Sequence, residues 1–243
     1  SSEVTLVAVT KTRTVDEIAA VYEAGVRDIG ENRVGEAESK RSKVDPTDLQ
    51  SLWAQTFGIQ FDQPIVHRQV IRIPGLPRAL DGLKIGHLSD LHRGTIVSRA
   101  YLMDAFSLLM QESPDVVALT GDYVDGSAYA AEYAEMLKVL RPRLGSFGCM
   151  GNHDLVYGLH TIPRAFRAAG VTMLRNRHHI LSVKGAKLCF IGVDDVETVE
   201  ASLFYRNLAR GVNSDLASAM ADSPLFDTVR VLLVHNPDFV MQP

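Results

Sequence analysis

An α/β fold is predicted, on three observations. Apolar runs of strand length alternate with segments of helical periodicity from about residue 65 onward. Hydrophobic residues make up 46% and charged residues 22% of 243 residues, enough for a real core. No run approaches the ~18 apolar residues that a membrane span requires.

The elements follow in chain order. Residues 5–9, Thr-Leu-Val-Ala-Val, read as a buried strand. Thr14 and Glu17 form a capping-box pattern, and Val15, Ile18, Ala19, Tyr22 and Val26 repeat at helical spacing. A short strand is expected at 27–29. A charged stretch and Asp45-Pro46 then break regular structure, so residues 41–64 read as a linker. The rhythm changes at Ile65. Strands are expected at 65–73, 83–89, 115–120, 147–150, 171–174, 179–183, 187–193 and 229–234. Helices are expected over 99–111, 130–140, 162–169 and 215–221. The first carries Leu102, Phe106 and Leu109 on one face, and Pro163 stands near the start of the third.

Composition excludes several classes. The net charge of −4 offers no electrostatic reason to expect nucleic acid as a partner. Two cysteines, Cys149 and Cys189, do not make a disulfide framework and read as buried free thiols. The opening Ser1-Ser2-Glu3 shows no charged region ahead of an apolar one, so no signal peptide is visible.

Four polar segments carry the chemistry. They are Ser89-Asp90-Leu91-His92, Gly121-Asp122-Tyr123-Val124-Asp125, Gly151-Asn152-His153-Asp154 and Val234-His235-Asn236-Pro237. Nearly all fall at ends of expected strands. Carboxylates, an amide and imidazoles together suit a pair of divalent cations attacking a phosphate ester. Each residue alone has a bland reading: Asp90 or Asp122 as a turn cap, His235 as a packed histidine. Their joint arrival at strand ends favours the metal reading. His87 reads as a packed strand residue and His178-His179 as surface. Surface placement is also expected for His160 and Arg93. Asp194-Asp195 reads as a plain turn at a cleft rim.

These motifs resemble those of the calcineurin-like metallophosphoesterases, over roughly three quarters of the chain. The lead-in Ile73-Pro74-Gly75-Leu76-Pro77 with Leu80-Asp81-Gly82 is similar to that of one bacterial branch. The resemblance implies a two-sheet sandwich flanked by helices, with two divalent metal ions (Mn, Fe or Zn) at strand ends. It implies that Asp90 and His92 hold one ion, that Asp122 bridges both, and that Asn152 and His235 hold the other. His153 would contact the phosphate or protonate the leaving oxygen, with Asp154 orienting it; Asp125 would stand behind the ligands. The implied partner is a phosphorylated small-molecule or lipid-like substrate, and the implied location cytoplasmic or membrane-peripheral. The family pattern closes with Gly-His-x-His, and this sequence stops at Pro243 before such a motif. A truncated domain over 65–243, with each ion one protein ligand short, is therefore expected.

Residues 4–40 resemble a different family, the small pyridoxal-phosphate-binding proteins related to the N-terminal barrel of alanine racemase. The likeness lies in Leu6-Val7-Ala8-Val9-Thr10-Lys11-Thr12 and in the run from Gly25 to Val34. The lysine at position 11 would form the Schiff base in that family. A (β/α)₈ barrel takes ~200 residues or more, so a strand-helix fragment at 1–40 with a solvated Lys11 is expected.

Overall fold

The segments Val116–Leu119 and Ser146–Gly148 are buried along their whole length, so each requires cover from two sides. The computed structural model describes residues 3–7, 63–94, 97–195, 215–223 and 227–236. The first elements are β1 (Glu3–Val7), β2 (Gln69–Arg72), β3 (Lys84–Leu88), α1 (Arg99–Gln111), β4 (Val116–Leu119) and α2 (Ala130–Leu137). Next come β5 (Ser146–Gly148), α3 (Asn152–Tyr157), α4 (Thr161–Ala168) and β6 (Val171–Met173). The last are β7 (Arg177–Val183), β8 (Ala186–Gly192), α5 (Leu216–Met220) and β9 (Thr228–Leu233).

Among the described residues one sheet runs β2–β1–β3–β4–β5–β6 and a second runs β7–β8–β9. β1, β3, β4, β5 and β6 are mutually parallel, and β2 adds an antiparallel edge. β7 and β8 form an antiparallel pair, and β9 joins β8 in parallel.

The period-2 alternation of strand side chains divides the core into layers. Val116 and Ala118 of β4 pack with Leu188 and Phe190 of β8 between the sheets, while Val117 and Leu119 face the helices. Phe147 stacks on Phe190 with ring centroids 4.7 Å apart, joining the two sheets. On the helical side Leu102, Phe106 and Leu109 of α1 meet Tyr133 and Leu137 of α2 and Phe166 of α4. α1 starts where Ser98 accepts a hydrogen bond from the Tyr101 N–H at 3.2 Å, satisfying one orphan donor of its first turn. A smaller cluster of Cys189, Ile191, Val193 and Ala219 lies beyond the second sheet. The layers, from outside in and out again, are helix, sheet, sheet, helix. The expected sandwich is present, and both cysteines are buried free thiols.

Two features depart from expectation. The strand assigned to a separate N-terminal fragment lies in the main sheet, where Leu6 pairs with both Gln69 and Ile85. Such pairing supplies partners to the backbone groups along β3, which otherwise would present a bare parallel edge. The expected helix from Thr14, the strand at 27–29, most of the 41–64 linker and Lys11 lie outside the described residues. The second departure is α3. The motif carrying Asn152, His153 and Asp154 follows the end of β5, as expected, but its residues also open a helix that was not expected.

Candidate metal centre

Parallel neighbours β3, β4 and β5 end on the same side, so the loops that follow them meet. Backbone pairing continues past the strands: the Asp90 N–H donates to the Gly121 carbonyl at 3.1 Å, and His92 N–H to Asp122 at 2.9 Å. Arg93 N–H donates to Tyr123 at 2.8 Å. This lays the Asp90–His92 loop along the Asp122 loop. Asp90 (φ 54°), His92 (φ 41°) and Asp122 (φ 54°) all adopt left-handed backbone, unusual for residues with a Cβ. Such conformations cost roughly 1 kcal/mol or more each and cluster at functional sites. The cross-loop hydrogen bonds hold them.

Two glycines set how closely the loops approach. A Cβ on Gly121 would stand 2.4 Å from the Gly151 nitrogen, and one on Gly151 would stand 2.4 Å from Asp122 Oδ1. The second would also lie 3.0 Å from the His235 ring. Gly151→Ala should therefore push apart Asp122 and His235. We expect a loss of about 1–3 kcal/mol in stability, as overpacking does, together with weaker metal uptake. Thermal unfolding and a metal titration of the variant check this.

His235 arrives from the other sheet, two residues beyond β9. Its Nδ1–H donates to the Thr120 carbonyl at 2.9 Å, and its Nε2 lies 3.4 Å from Asp122 Oδ2. His92 places Nε2 at 3.3 Å from the same oxygen and 3.9 Å from Asp90 Oδ1. Its Nδ1–H donates to Asp125 Oδ1 at 2.7 Å. Both imidazoles thus tie one nitrogen to protein and aim the other at the Asp122 carboxylate, the arrangement that fixes a metal-ligating tautomer.

Donor atoms of His92, Asp122 and His153 all lie within 4.8 Å of one another, and so do those of Asp90, Asp122 and His235. Asp122 belongs to both groups. Asn152 opens α3 directly before His153, whose N–H donates to Asp122 Oδ1 at 3.0 Å. Asp90 lies close to both His235 and His92, whose Nε2 is 3.9 Å from Asp90 Oδ1, and His153 lies within reach of Asp122 and His92.

Asp154 requires a correction. It was expected to orient His153, but its oxygens accept three backbone N–H groups instead, from Asp122 (2.7 Å), Tyr123 (2.9 Å) and Gly151 (2.9 Å). The carboxylate beside His153 is Asp125, with Oδ1 3.3 Å from Nδ1. One Asp125 oxygen therefore serves both His92 and His153, whose rings meet edge to face at 4.8 Å. Adjacency in sequence pointed to the wrong aspartate because residues 153 and 154 leave a helix in different directions.

Other expectations are redistributed too. Arg93 is partly buried rather than on the surface: it pairs with Glu132 at 3.0 Å and lies over the Tyr129 ring, pinning its loop to α2. Asp194 is buried and paired with Arg175 at 2.8 Å, more than a plain turn residue. His178 is half-buried and bonded through Nδ1 to the Ala219 carbonyl at 2.9 Å. His160 and His179 are exposed. His87 meets Thr120 Oγ1 at 2.7 Å, and burial pushes its pKa down to about 4, as a packed neutral histidine requires.

The electrostatics are those of a negatively charged pocket. Burial alone would depress the His92 imidazole, but hydrogen bonds to Asp125 and Asp90 and the Asp122 charge hold its pKa at about 9. Burial opposes His235 likewise, and Asp122, Asp90 and Asp195 together raise it to about 10. Burial would raise Asp125, yet the hydrogen bonds to His153 and His92 bring it to about 2. Burial and the Asp122 charge lift Asp154 to about 7. Crowded carboxylates this poor in surrounding water call for cations. The mix of carboxylate, imidazole and amide donors fits divalent metal ions. No helix among the described residues is long and apolar enough to cross a membrane.

A family model, calcineurin-like phosphoesterase, matches residues 83–238. Curated relatives agree. A zebrafish (Danio rerio) protein named transmembrane protein with metallophosphoesterase domain is 31% identical over 179 residues, which are 71% of this chain and 39% of that one. Phosphodiesterase YaeI of Escherichia coli K12 is 29% identical over 160 residues, 64% of this chain and 53% of that one. The uncharacterized metallophosphoesterase YkoQ of Bacillus subtilis is 33% identical over 176 residues, 69% of this chain and 57% of that one. The chain thus spans about two fifths to three fifths of the length of these relatives. The matched region contains Asp90, His92, Asp122, Asn152, His153 and His235, and on this match the chain belongs to the calcineurin-like phosphoesterase family.

Proposed function

We propose that the chain hydrolyses a phosphate ester or pyrophosphate with two divalent metal ions, held through Asp90, His92, Asp122, Asn152 and His235. The observation that carries this reading is the sharing of Asp122 between two three-donor groups. A carboxylate between two cations offsets their mutual repulsion. A pair of Mn, Fe or Zn ions held by these residues would supply a hydroxide nucleophile near neutral pH and would neutralise charge on the phosphoryl oxygens.

The side chains do the rest. Asp125 fixes the His92 tautomer and steadies His153. His153 stands beside the donors, where it can contact the phosphate or protonate the leaving oxygen. The E. coli relative is named a phosphodiesterase, which makes phosphodiesters the first substrates to try. Monoesters and lipid-like phosphates come next.

Metal uptake tests the reading. Imidazoles bind metal only when neutral. With pKa values of about 9 and 10, His92 and His235 are protonated at pH 7.5 in the metal-free protein. Uptake should then release protons, and apparent affinity should climb as pH rises from 7 toward 10. Calorimetry with Mn²⁺ in buffers of different ionisation enthalpy measures the release, and aryl mono- and diesters report hydrolysis. One ion per chain would remove the dinuclear reading; no phosphate release at saturating Mn²⁺ would remove hydrolysis.

A further inference from the structure

Tyr123 and Asp122 follow Gly121 (φ 95°) and the left-handed turn at Asp122, so their N–H groups leave the strand ladder. A single side chain takes them up. Asp154 is fully buried, and its Oδ2 accepts from both Asp122 N–H and Gly151 N–H while Oδ1 accepts from Tyr123 N–H. The same helical turn returns the favour to the side chain, because His153 N–H donates to Asp122 Oδ1. The first turn of α3 thus holds Asp122 twice, once by its backbone and once by its carboxylate.

We infer that Asp154 is a positioning residue: it aims the Asp122 carboxylate into the site by gathering the N–H groups of residues 122, 123 and 151. The inference rests on the metal-dependent reading above. Asp154 does not reach the reacting atoms through His153, whose partner is Asp125. Its chemistry explains the residue type. Three converging N–H donors need two acceptor oxygens, and an amide would turn an NH₂ group toward at least one of them.

The test compares Asp154→Asn with the parent in Mn²⁺ calorimetry and in the Mn²⁺ dependence of aryl phosphate hydrolysis. The expected result is a half-saturating Mn²⁺ concentration raised roughly 10–100-fold, the scale for residues that orient ligands. At saturating Mn²⁺ the variant's KM should match the parent's and kcat should largely recover. Phe166→Leu, a buried change in the helical layer, should lower thermal stability without moving the Mn²⁺ requirement. If Asp154→Asn does not fold, Asp154→Glu keeps the charge while displacing both oxygens and should give the same shift. Amide exchange in the unsubstituted metal-free protein gives a reading free of any variant: the three N–H groups should exchange slowly. An unchanged Mn²⁺ requirement, or rapid exchange of those amides, overturns the inference. If the parent takes up no Mn²⁺ and releases no phosphate, the hydrolytic reading fails instead, and amide protection alone decides whether Asp154 braces these loops.

Discussion

Asp122→Asn should abolish hydrolysis and most metal uptake while leaving the fold intact. The substitution keeps the shape of the side chain, and Oδ1 can still accept the His153 N–H. What it removes is the charged oxygen that His92 Nε2 faces at 3.3 Å and His235 Nε2 at 3.4 Å. Because that residue belongs to both donor groups, its loss weakens two positions together. Losing a residue that only orients a ligand costs ~10–100-fold in affinity, so losing a shared donor should cost more. We expect a fall in kcat/KM of at least about 10³-fold, as for single groups that act at reacting centres. Metal content by atomic emission and turnover of an aryl phosphate measure both effects. Circular dichroism of the metal-free variant should match the parent. Equal metal content and equal rate in the two proteins would leave the proposed centre without support.

The second large effect belongs to His153→Gln, and its size should depend on the leaving group. A general acid matters most when the departing oxygen is a poor leaving group. Hydrolysis of an alkyl phosphate should fall by about 10²–10⁴-fold, and that of a nitrophenyl phosphate by far less. The geometry makes the result informative, since His153 lies both beside Asp125 and within one donor group. Equal losses on both substrates with metal content unchanged would assign His153 to phosphate contact. Loss of one ion would assign it to metal binding, against our expectation. Asp125→Asn should reproduce a weakened form of the His153 defect and also loosen His92, because one oxygen serves both rings.

Much of the fold was readable along the chain. The helix over 99–111 falls where its apolar positions put it, because helical periodicity is a local property. β3, β4, β8 and β9 lie within a residue or two of their expected spans, since their apolar residues cluster over strand length. α3 escaped notice. It has six residues between two glycines, too few for a periodic face to show. The place of residues 3–7 in the main sheet was equally hidden, because a short apolar strand carries no mark of which neighbour it will pair with.

At the site, residue types and spacing announced the chemistry: carboxylates, imidazoles and an amide in four segments that follow β3, β4, β5 and β9. Partnership was another matter. Asp125 rather than Asp154 faces His153, and Asp154 spends its oxygens on backbone N–H groups. Hydrogen bonds between loops about thirty residues apart, and glycines that let those loops touch, create these pairings. Donor identity is a property of each side chain and travels with the sequence. Which donors share an ion depends on distances of 3 to 4 Å across separate strands, and those exist only once both sheets have packed.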